Sequence, residues 1–444
     1  MFSRPDRSLR WDVLEEHLSE ASFLWTQWEN RLKAPSHTLK EVAEGEEGRL
    51  RAHLDALVAG GRRVAARLLK PTLEEDDGER IRAAGFVLLS PGEGQDVPCV
   101  LEHFSEEGEE TNRASLQRAL QMSECTGLSD VLRPLLAIKE PGLQSAVLEV
   151  LRFRRTHPGT PFAQLLSHPD PEVKAAALRA AKLWPTEVDA NLVRQALASP
   201  EPPVREAGLE TGLILGLKAA WTSCRQWASA PDAAGHVARV ALACGGDRHD
   251  LEQLLELLAV PALQRSVLWA LGFSGRLAAA QASLRWLRDP TLAGVAAEAF
   301  CSITGLSLQG HMVRERDQET GEEPVALEDE DLDADLLPGP DEELVLPEPA
   351  AIEAWWAEAQ KNFSRDIRYL CGQPFSFERL LDGLEQLPMR RRPVLALELA
   401  IRSHGQHQIE TQDFTHIQRM QVRTAWERPE RSIPMGPFAD WMRS

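Results

Sequence analysis

Residue types that could do chemistry are few and scattered along this chain. It contains twelve histidines, and none is followed by glutamate, so the His-Glu dipeptides of a di-iron hydroxylase built on helical repeats are missing. His404 and His407 could bind a metal from one helix face together with a third ligand. The candidate third ligands are Glu410, Asp413 and His416. Gly405 and the alternating residues after it favour a turn and a strand, which would separate the two histidines. We predict no metal site.

An acidic segment, residues 315–348, is the second candidate. It holds fifteen Asp or Glu and one Arg, so it carries −14 of the net charge of −19 and leaves −5 for the rest of the chain. Four of its carboxylates have the spacing of a calcium-binding loop, namely Asp331, Asp333, Asp335 and Glu342. Leu336 stands where such a loop requires glycine. We interpret the segment as a solvated linker; the alternative that it covers a basic groove of the same protein stays open.

Motifs for nucleophilic or phosphate chemistry are missing. The sequence has no G-x-S-x-G, no Walker loop and no G-x-G-x-x-G. The six cysteines include no C-x-x-C pair and are interpreted as reduced core residues. No apolar stretch is long enough for a membrane span, and no export signal is visible. We therefore predict a cytoplasmic protein that is not an enzyme, needs no cofactor and does not contact a membrane.

An internal repeat is the dominant pattern. Sliding the stretch LLSHPDPEVKAAALRAAKLW, residues 165–184, along the chain finds an apolar mid-helix position that recurs at intervals of 30, 32, 30, 31, 31, 28 and 29 residues. These anchor positions are Phe86, Leu116, Leu148, Leu178, Leu209, Val240, Leu268 and Ala297. A period near thirty with two helices per unit is typical of an α-solenoid. We predict an all-α fold, an α-solenoid of about eight HEAT-like helical hairpins.

The unit quoted above explains how each hairpin would form. Asp170 is placed to cap the second helix, and Pro171 fits its first turn, where no amide hydrogen is needed. Its alanines allow close helix packing. The sequence divides into four predicted segments: an N-terminal helical cap at 1–62, the repeat solenoid at 63–308, an acidic linker at 309–350, and a C-terminal helical region at 351–444 with an irregular tail from about 405.

Cations recur at the start of the second helix of successive units. They are Arg82, Arg113, Lys174, Arg205 and Arg265. Such a ladder could hold an acidic peptide or a phosphate backbone; the alternative is ion pairing between adjacent repeats, with Glu79, Asp170 and Glu201 as partners. Trp355 and Trp356 are adjacent, so one is expected to pack on the repeats while the other anchors a partner. These seven residues are the candidate partner-binding residues.

Six stretches, taken in order, resemble an uncharacterised bacterial family of HEAT-like repeat proteins. They are EEHLSEASFLWTQWENRL, GRLRAHLDALVAGG, ITGLSL before the acidic run, IEAWWAEAQKNF, RYLCGQPF and ALELAIRS. Members of that family are often encoded among type VI secretion genes, so the resemblance implies an accessory, adaptor or immunity-type role. It implies no catalytic residues. The usual member ends soon after the stretch that matches ALELAIRS, whereas about forty residues follow here.

The sequence thus predicts a non-catalytic protein-binding scaffold. The expected partner is a protein of a type VI secretion system, such as an effector or a spike component. Two alternatives remain open: an enzyme on a HEAT-like scaffold, resembling a bilin lyase or an alkyl-base glycosylase, and a nucleic-acid binder without catalysis. The near-neutral charge outside the acidic segment speaks against a nucleic-acid partner.

Overall fold

The structure is a computed structural model that describes residues 9–106, 108, 110–314, 341–428 and 433–443. It is mostly helical, which confirms the all-α prediction. The α-helices up to the middle of the chain are α1 Trp11–Arg31, α2 Leu39–Glu44, α3 Glu46–Ala59, α4 Gly61–Val64, α5 Lys70–Thr72, α6 Gly78–Leu89, α7 Val97–Phe104, α8 Glu110–Met122, α9 Leu128–Leu132, α10 Pro141–Phe153, α11 Phe162–Leu165, α12 Pro171–Ala181, α13 Ala190–Leu197 and α14 Pro202–Ile214.

The later elements include one small hairpin of strands. The helices are α15 Lys218–Trp227, α16 Ala233–Gly245, α17 Arg248–Glu256, α18 Gln264–Ser274, α19 Leu277–Leu284, α20 Ala293–Thr304, α21 Pro349–Ala359, α22 Phe377–Gln386, α23 Arg392–Arg402 and α24 Thr415–Glu427. Strands β1 Tyr369–Leu370 and β2 Gln373–Pro374 pair antiparallel, with Tyr369 opposite Pro374.

The chain folds into two compact units. The first is built from the residues up to Leu32, from His37–Ala220 and from His404–Thr424. The second is built from Lys33–Ser36, Trp221–Ser403 and the residues from Ala425 onward. Each unit thus draws on sequence segments that are far apart. The four segments predicted from the sequence stay predictions, because packing does not test those boundaries.

In the first unit, alternate helices pack side by side in chain order. Helix α6 packs on α8, α8 on α10, α10 on α12, and α12 on α14, while α1 packs on both α3 and α6. Each helix from α6 to α14 in this row carries one predicted anchor, and four of these anchors are completely buried, namely Leu116, Leu148, Leu178 and Leu209. The repeat found in the sequence therefore coincides with the helices that share the core of this unit.

The second unit shows the same relation. Helix α16 packs on α18 and α18 on α20, and their anchors Val240, Leu268 and Ala297 are buried. The helices between the anchored ones are shorter: α11 has 4 residues and α13 has 8, against 11 in α12 and 13 in α14. A solenoid of eight HEAT-like hairpins therefore remains a prediction, although the repeat period itself is matched by the helices.

Helix α12 forms for the reasons that the sequence indicated. The Asp170 side chain accepts hydrogen bonds from the backbone N–H groups of Glu172 and Val173, at 3.0 and 3.2 Å, and Pro171 occupies the first turn. Ala175, Ala176 and Ala177 are completely buried, so their small side chains let neighbouring helices approach closely. The predicted cap of this helix is confirmed.

The N-terminal helical pair is also present. Helix α1 buries Leu18, Trp25 and Trp28, and it packs on α3, which ends at Ala59 immediately before Gly60. Sequence periodicity was sufficient here because both helices are long, amphipathic and bounded by clear end signals.

The prediction that the tail is irregular was wrong for residues Thr415–Glu427, which form helix α24. The completely buried residues of this part of the chain are Gln418, Val422 and Ala425, which recur at helical spacing. The first of these buried positions is a glutamine, which is polar. The sequence therefore lacks the apolar residue that would have indicated a helix starting at Thr415. The turn predicted before it is confirmed, since His404 and Gly405 have φ values of 48° and 81°. Residues 406–414 are irregular as predicted, although they form turns and bends and not the expected strand.

Only the ends of the acidic segment are described. Val313 and Pro347 form an isolated antiparallel bridge, and the Glu348 backbone N–H donates to the Met312 carbonyl at 2.8 Å. The calcium-type residues Asp331, Asp333, Asp335 and Leu336 lie outside the described residues, so that interpretation is not tested. Among the described helices, no single one is long and apolar enough to cross a membrane, and one bent pair, Arg248–Ala259 with Pro261–Ser274, passes by length and composition only.

Replacing Asp170 with Ala should destabilise the first unit by about 0.5–2 kcal/mol, because the first N–H groups of α12 lose their acceptor. Asp170→Asn keeps an acceptor oxygen and should retain most of the stability. Denaturant unfolding and hydrogen exchange of α12 measure both effects. Equal exchange rates in the wild type and in Asp170→Ala would contradict the capping role.

Candidate functional site

The predicted cation ladder is engaged within the protein. Arg82 pairs with Glu29, with Nη1 and Oε2 at 2.9 Å, and both side chains are largely covered. Arg113 is buried and pairs with Glu140 at 3.1 Å while donating to the Phe104 carbonyl. Ion pairing was the alternative considered from the sequence, yet the partners differ from the expected Glu79 and Asp170.

The three other cations of the ladder differ from one another. Arg205 donates to the carbonyls of Ser199 and Pro200, which end the preceding turn. Arg265 pairs with Asp341 at 2.7 Å and is nearly half exposed. Lys174 forms no ion pair within the described residues and is half-buried. Within the described residues, four of these five cations are therefore engaged by other groups of the protein.

Both tryptophans pack on Phe300 of α20, so they do not divide into one packed and one exposed ring. Trp356 is buried and packs against Phe300, with ring centroids 5.2 Å apart. Trp355 is half-buried and stacks on Trp356 at 6.1 Å. Their role as partner anchors stays a prediction.

The candidate site lies instead where the chain returns to its first unit. Residues His404–Phe414, here called the return segment, lie on side chains from α8, α10 and α12. Arg118 donates to the Gln412 carbonyl at 2.6 Å, and the Gln408 side chain donates to the Lys182 carbonyl at 2.9 Å. Arg155 donates to the Gln408 carbonyl. Two of these contacts accept at backbone carbonyls of the return segment and the third uses the Gln408 side chain, so main chain and side chain both hold the segment.

One carboxylate of the return segment is held by charge. Arg152 Nη1 lies 2.9 Å from Glu410 Oε2, and Arg152 Nε lies 2.8 Å from Glu149 Oε2. Burial disfavours the charged form of Arg152, but the charges of Glu410 and Glu149 outweigh it, so the pKa of the guanidinium is raised. Arg152 therefore stays charged between two carboxylates, one from its own helix and one from the return segment.

Neighbouring charges extend this arrangement along the helices. Glu149 also accepts from Arg179 Nε at 2.5 Å, and Lys182 pairs with Glu210 at 2.6 Å. Burial opposes ionisation of Glu149, yet the charges of Arg152 and Arg179 lower the pKa of its carboxyl below the usual value. Cations and anions thus alternate from α10 to α14.

The return segment ends in an aromatic anchor. Phe414 is buried, and its ring lies 5.1 Å from the ring of Trp28 and 6.0 Å from that of Phe86. Arg51 lies over the Phe414 ring at 5.7 Å. Aromatic packing of this kind contributes roughly 0.5–1.5 kcal/mol beyond the area it buries.

Glu47 joins this anchor to the start of α24. Its buried carboxylate accepts from Trp28 Nε1 at 3.0 Å, from the Thr415 backbone N–H at 2.9 Å and from Thr415 Oγ1 at 2.7 Å. A side chain of α3 therefore satisfies the first backbone donors of α24. This contact joins residues 368 positions apart in the sequence.

The arrangement has the chemistry of peptide recognition. Side chains on helices bind main-chain carbonyls, one cation binds a carboxylate, and an aromatic pocket receives a ring.

Within residues 9–106, 110–314, 341–428 and 433–443, no group of three or more His, Cys, Asp or Glu side chains could hold a metal ion. His407, one of the candidate ligands, is buried. His416, in the first turn of α24, has its Nε2 atom 3.6 Å from Oε1 of Glu124.

Sequence reasoning missed these residues because it examined the start of each second helix. The charged residues that matter lie one to four positions after the anchors, at Glu149 and Arg152, at Arg179 and Lys182, and at Glu210. Alternating charge at the position after successive anchors was the available signal. No family model and no curated protein matches the chain.

Replacing Glu47 with Gln should destabilise the first unit by roughly 1–3 kcal/mol, because three donors then share one acceptor oxygen. Glu46→Gln is the control, since Glu46 pairs with Arg31 near the surface and contributes about 0–1 kcal/mol. Hydrogen exchange across Thr415–Glu427 and denaturant unfolding report the effect. Similar losses in the two variants would contradict the role given to Glu47.

Proposed function

We propose that the protein is a non-catalytic scaffold that binds other proteins through an extended peptide stretch. The binding surface is the one that the return segment occupies, here called the return-segment face and made by Arg118, Arg152, Arg155 and Lys182. The observation that carries the proposal is that this face holds the return segment through two of its backbone carbonyls, those of Gln408 and Gln412, and through the side chains of Gln408 and Glu410. A helical surface that binds one such stretch has the contacts needed for another.

The return segment also indicates which partner peptides would fit. Glu410 and Phe414 are its two side-chain anchors, and they are four residues apart. Arg152 requires an acidic residue, because without one the buried guanidinium would keep only one of its two carboxylate partners. Trp28 and Phe86 require an aromatic ring at the second position. We infer that a partner presents an acidic residue followed four positions later by an aromatic one.

Because the return segment already occupies this face, a partner must displace that segment in order to bind. A tethered segment competes at an effective concentration of roughly millimolar order, so a weak free peptide would not displace it. A partner must therefore bind tightly or add contacts elsewhere on the protein. Such competition favours selective binding over general adhesion.

The specific partner that we propose is a protein of a type VI secretion system, an effector or a spike component, bound in the cytoplasm. The support is the resemblance of six ordered stretches to a repeat family encoded among such genes. An adaptor or immunity-type role follows from that resemblance and agrees with a surface that binds protein chains. Of the candidate partner-binding residues, Lys174, Arg265 and Trp355 keep exposed surface and would supply secondary contacts.

Charge on the return-segment face favours this proposal over the alternatives. A glycosylase or a nucleic-acid binder needs a continuous positive surface. Here Arg82 and Arg118 share Glu29, and Arg152 and Arg179 share Glu149. Paired cations of this kind are poorly placed to neutralise a phosphate backbone. No observation favours a bilin lyase.

A labelled synthetic peptide of residues 404–420 tests the recognition step. The double variant Glu410→Gln, Phe414→Ala weakens both anchors of the tethered segment, so it should bind the peptide at least tenfold more tightly than the wild type. The same peptide carrying the two substitutions is the control and should not bind. Fluorescence anisotropy measures the affinities, and circular dichroism verifies that the variant is folded.

Adding Arg152→Ala to the double variant should abolish peptide binding, since the acidic anchor then lacks its cation. Absence of peptide binding to a folded double variant whose return segment exchanges rapidly with deuterium would overturn the proposed recognition. Co-purification from the native host addresses the partner separately: recovery of no secretion component with either the wild type or the double variant would remove the type VI assignment.

A further inference from the structure

A cavity of about 390 Å³ lies in the first unit beside the return segment. Its walls are the end of α8, the end of α10, residues 406–408 and one side of α24. This volume falls in the range of ordinary small-molecule sites, which runs from roughly 300 to 1,000 Å³. None of the contacts assigned to peptide recognition requires an open space here.

Two arginines line the cavity without carboxylate partners. Within the described part of the chain, neither Arg154 nor Arg155 forms an ion pair. Arg154 donates to the carbonyls of Ser123 and Cys125, the latter at 2.8 Å, and its buried Nε has no hydrogen-bond partner among the described residues. Arg155 donates to the Gln408 carbonyl and keeps part of its side chain open to solvent.

Desolvation is the main influence on both guanidinium groups. It lowers the pKa of Arg154 and of Arg155, although nearby acidic groups partly oppose it. Elsewhere in the unit, Arg152 and Arg179 each have a carboxylate within 3 Å. Arg154 is half-buried, its covered Nε has no partner and no counter-charge lies against it within the described residues, so an anion in the cavity would relieve an existing penalty there. Arg155 is exposed and adds a second positive charge at the cavity.

The lining contains two acidic side chains, Glu124 and Asp413, and the one whose charge acts on both arginines is Asp413. Its Oδ1 accepts from the Phe414 backbone N–H at 2.7 Å. Burial, assisted by the charges of Glu410 and Glu47, raises the pKa of Asp413 to about 7, although the Phe414 N–H and the charge of Arg118 oppose the rise. Near neutral pH much of Asp413 is therefore uncharged and does not neutralise the arginines.

The rest of the lining is mixed: polar side chains such as Glu124 and His407 lie beside a group of apolar ones. Met122, Phe153 and Phe414 are buried, and Ile417 and Met420 extend the wall along α24. Met420 is 57% exposed. A methionine next to an open cavity can adapt its shape to a ligand.

We propose that this cavity binds a small organic anion, with its anionic head against Arg154 and Arg155 and its apolar part on Phe153, Ile417 and Met420. The head is a carboxylate or a phosphate, because guanidinium groups bind both. This inference goes beyond peptide binding, although Arg155 also contacts the return segment. The cavity exists with the return segment in place, so a ligand there would also strengthen the attachment of that segment.

Calorimetric titration of the full chain tests the site with four probes: 1-naphthoate, 1-naphthyl phosphate, neutral 1-naphthamide and inorganic phosphate. One of the two naphthyl anions should bind saturably at one site, and the better one identifies the head group. Naphthamide and inorganic phosphate should bind at least about tenfold more weakly, because naphthamide lacks the anionic head and inorganic phosphate lacks the apolar part. Equal affinity for naphthamide, or no saturable binding of either naphthyl anion at millimolar concentration, would overturn the proposal.

Two matched variants locate the bound probe. Arg155→Gln should lower its affinity about tenfold or more, since a charge-assisted contact is lost. Arg194→Gln removes an arginine that contacts only Asn191 among the described residues and should leave the affinity unchanged. Thermal unfolding without ligand verifies that both variants fold. An affinity in Arg155→Gln equal to that of the wild type would place the ligand elsewhere and contradict the proposal.

The affinity should also fall as pH rises through about 7, because ionised Asp413 repels the bound anion. The charged groups around Asp413 are Glu410, Glu47, Arg118, Arg154 and Arg155. Asp413→Asn should bind the naphthyl anion with nearly the same affinity from about pH 6 to about pH 8. An unchanged pH dependence in this variant would show that the anion does not lie beside Asp413 and would contradict the site.

Discussion

A buried charge needs an opposite charge close by, and in the first unit this requirement is most evident at Arg152. Its guanidinium lies between Glu149 of the same helix and Glu410 of the return segment, and all three side chains are largely covered. Removing one partner from a buried ion pair typically costs about 3–5 kcal/mol, because the remaining charge stays desolvated. Glu410 therefore completes an arrangement that the helices alone leave unfinished.

The second unit follows the same rule by itself. Glu398 of α23 is buried between Arg368 and Arg402, with Arg402 Nε at 2.8 Å. Both arginines also reach the ends of repeat helices: Arg368 donates to the Phe273 carbonyl and Arg402 to the Cys244 carbonyl. The pKa of Glu398 is lowered because the two positive charges outweigh the cost of burial. In each unit, residues late in the sequence thus supply groups that earlier helices need.

Sequence reasoning succeeded where the cause is local and failed where it is distant. The anchors, the Asp170 cap and the first helical pair depend on spacing within about one unit, so composition and periodicity revealed them. The pairing of Arg152 with Glu410 spans 258 residues, and no local pattern encodes it. Helix α24 was missed because the buried Gln418 interrupts its apolar stripe, and that glutamine donates to the Thr411 and Asp413 carbonyls of the preceding turn.

A partner that replaces the return segment must satisfy the same electrostatic requirement. Arg118 shares Glu29 with Arg82 and keeps a charge partner when Gln412 leaves, whereas Arg152 would lose one of its two carboxylates. A peptide without an acidic residue would thus leave the site less balanced than before, however well its backbone fitted. Backbone contacts make the face general, and the Arg152 site makes it selective. Because the tethered segment already meets both conditions, stability of the unit and selectivity for partners have the same physical origin.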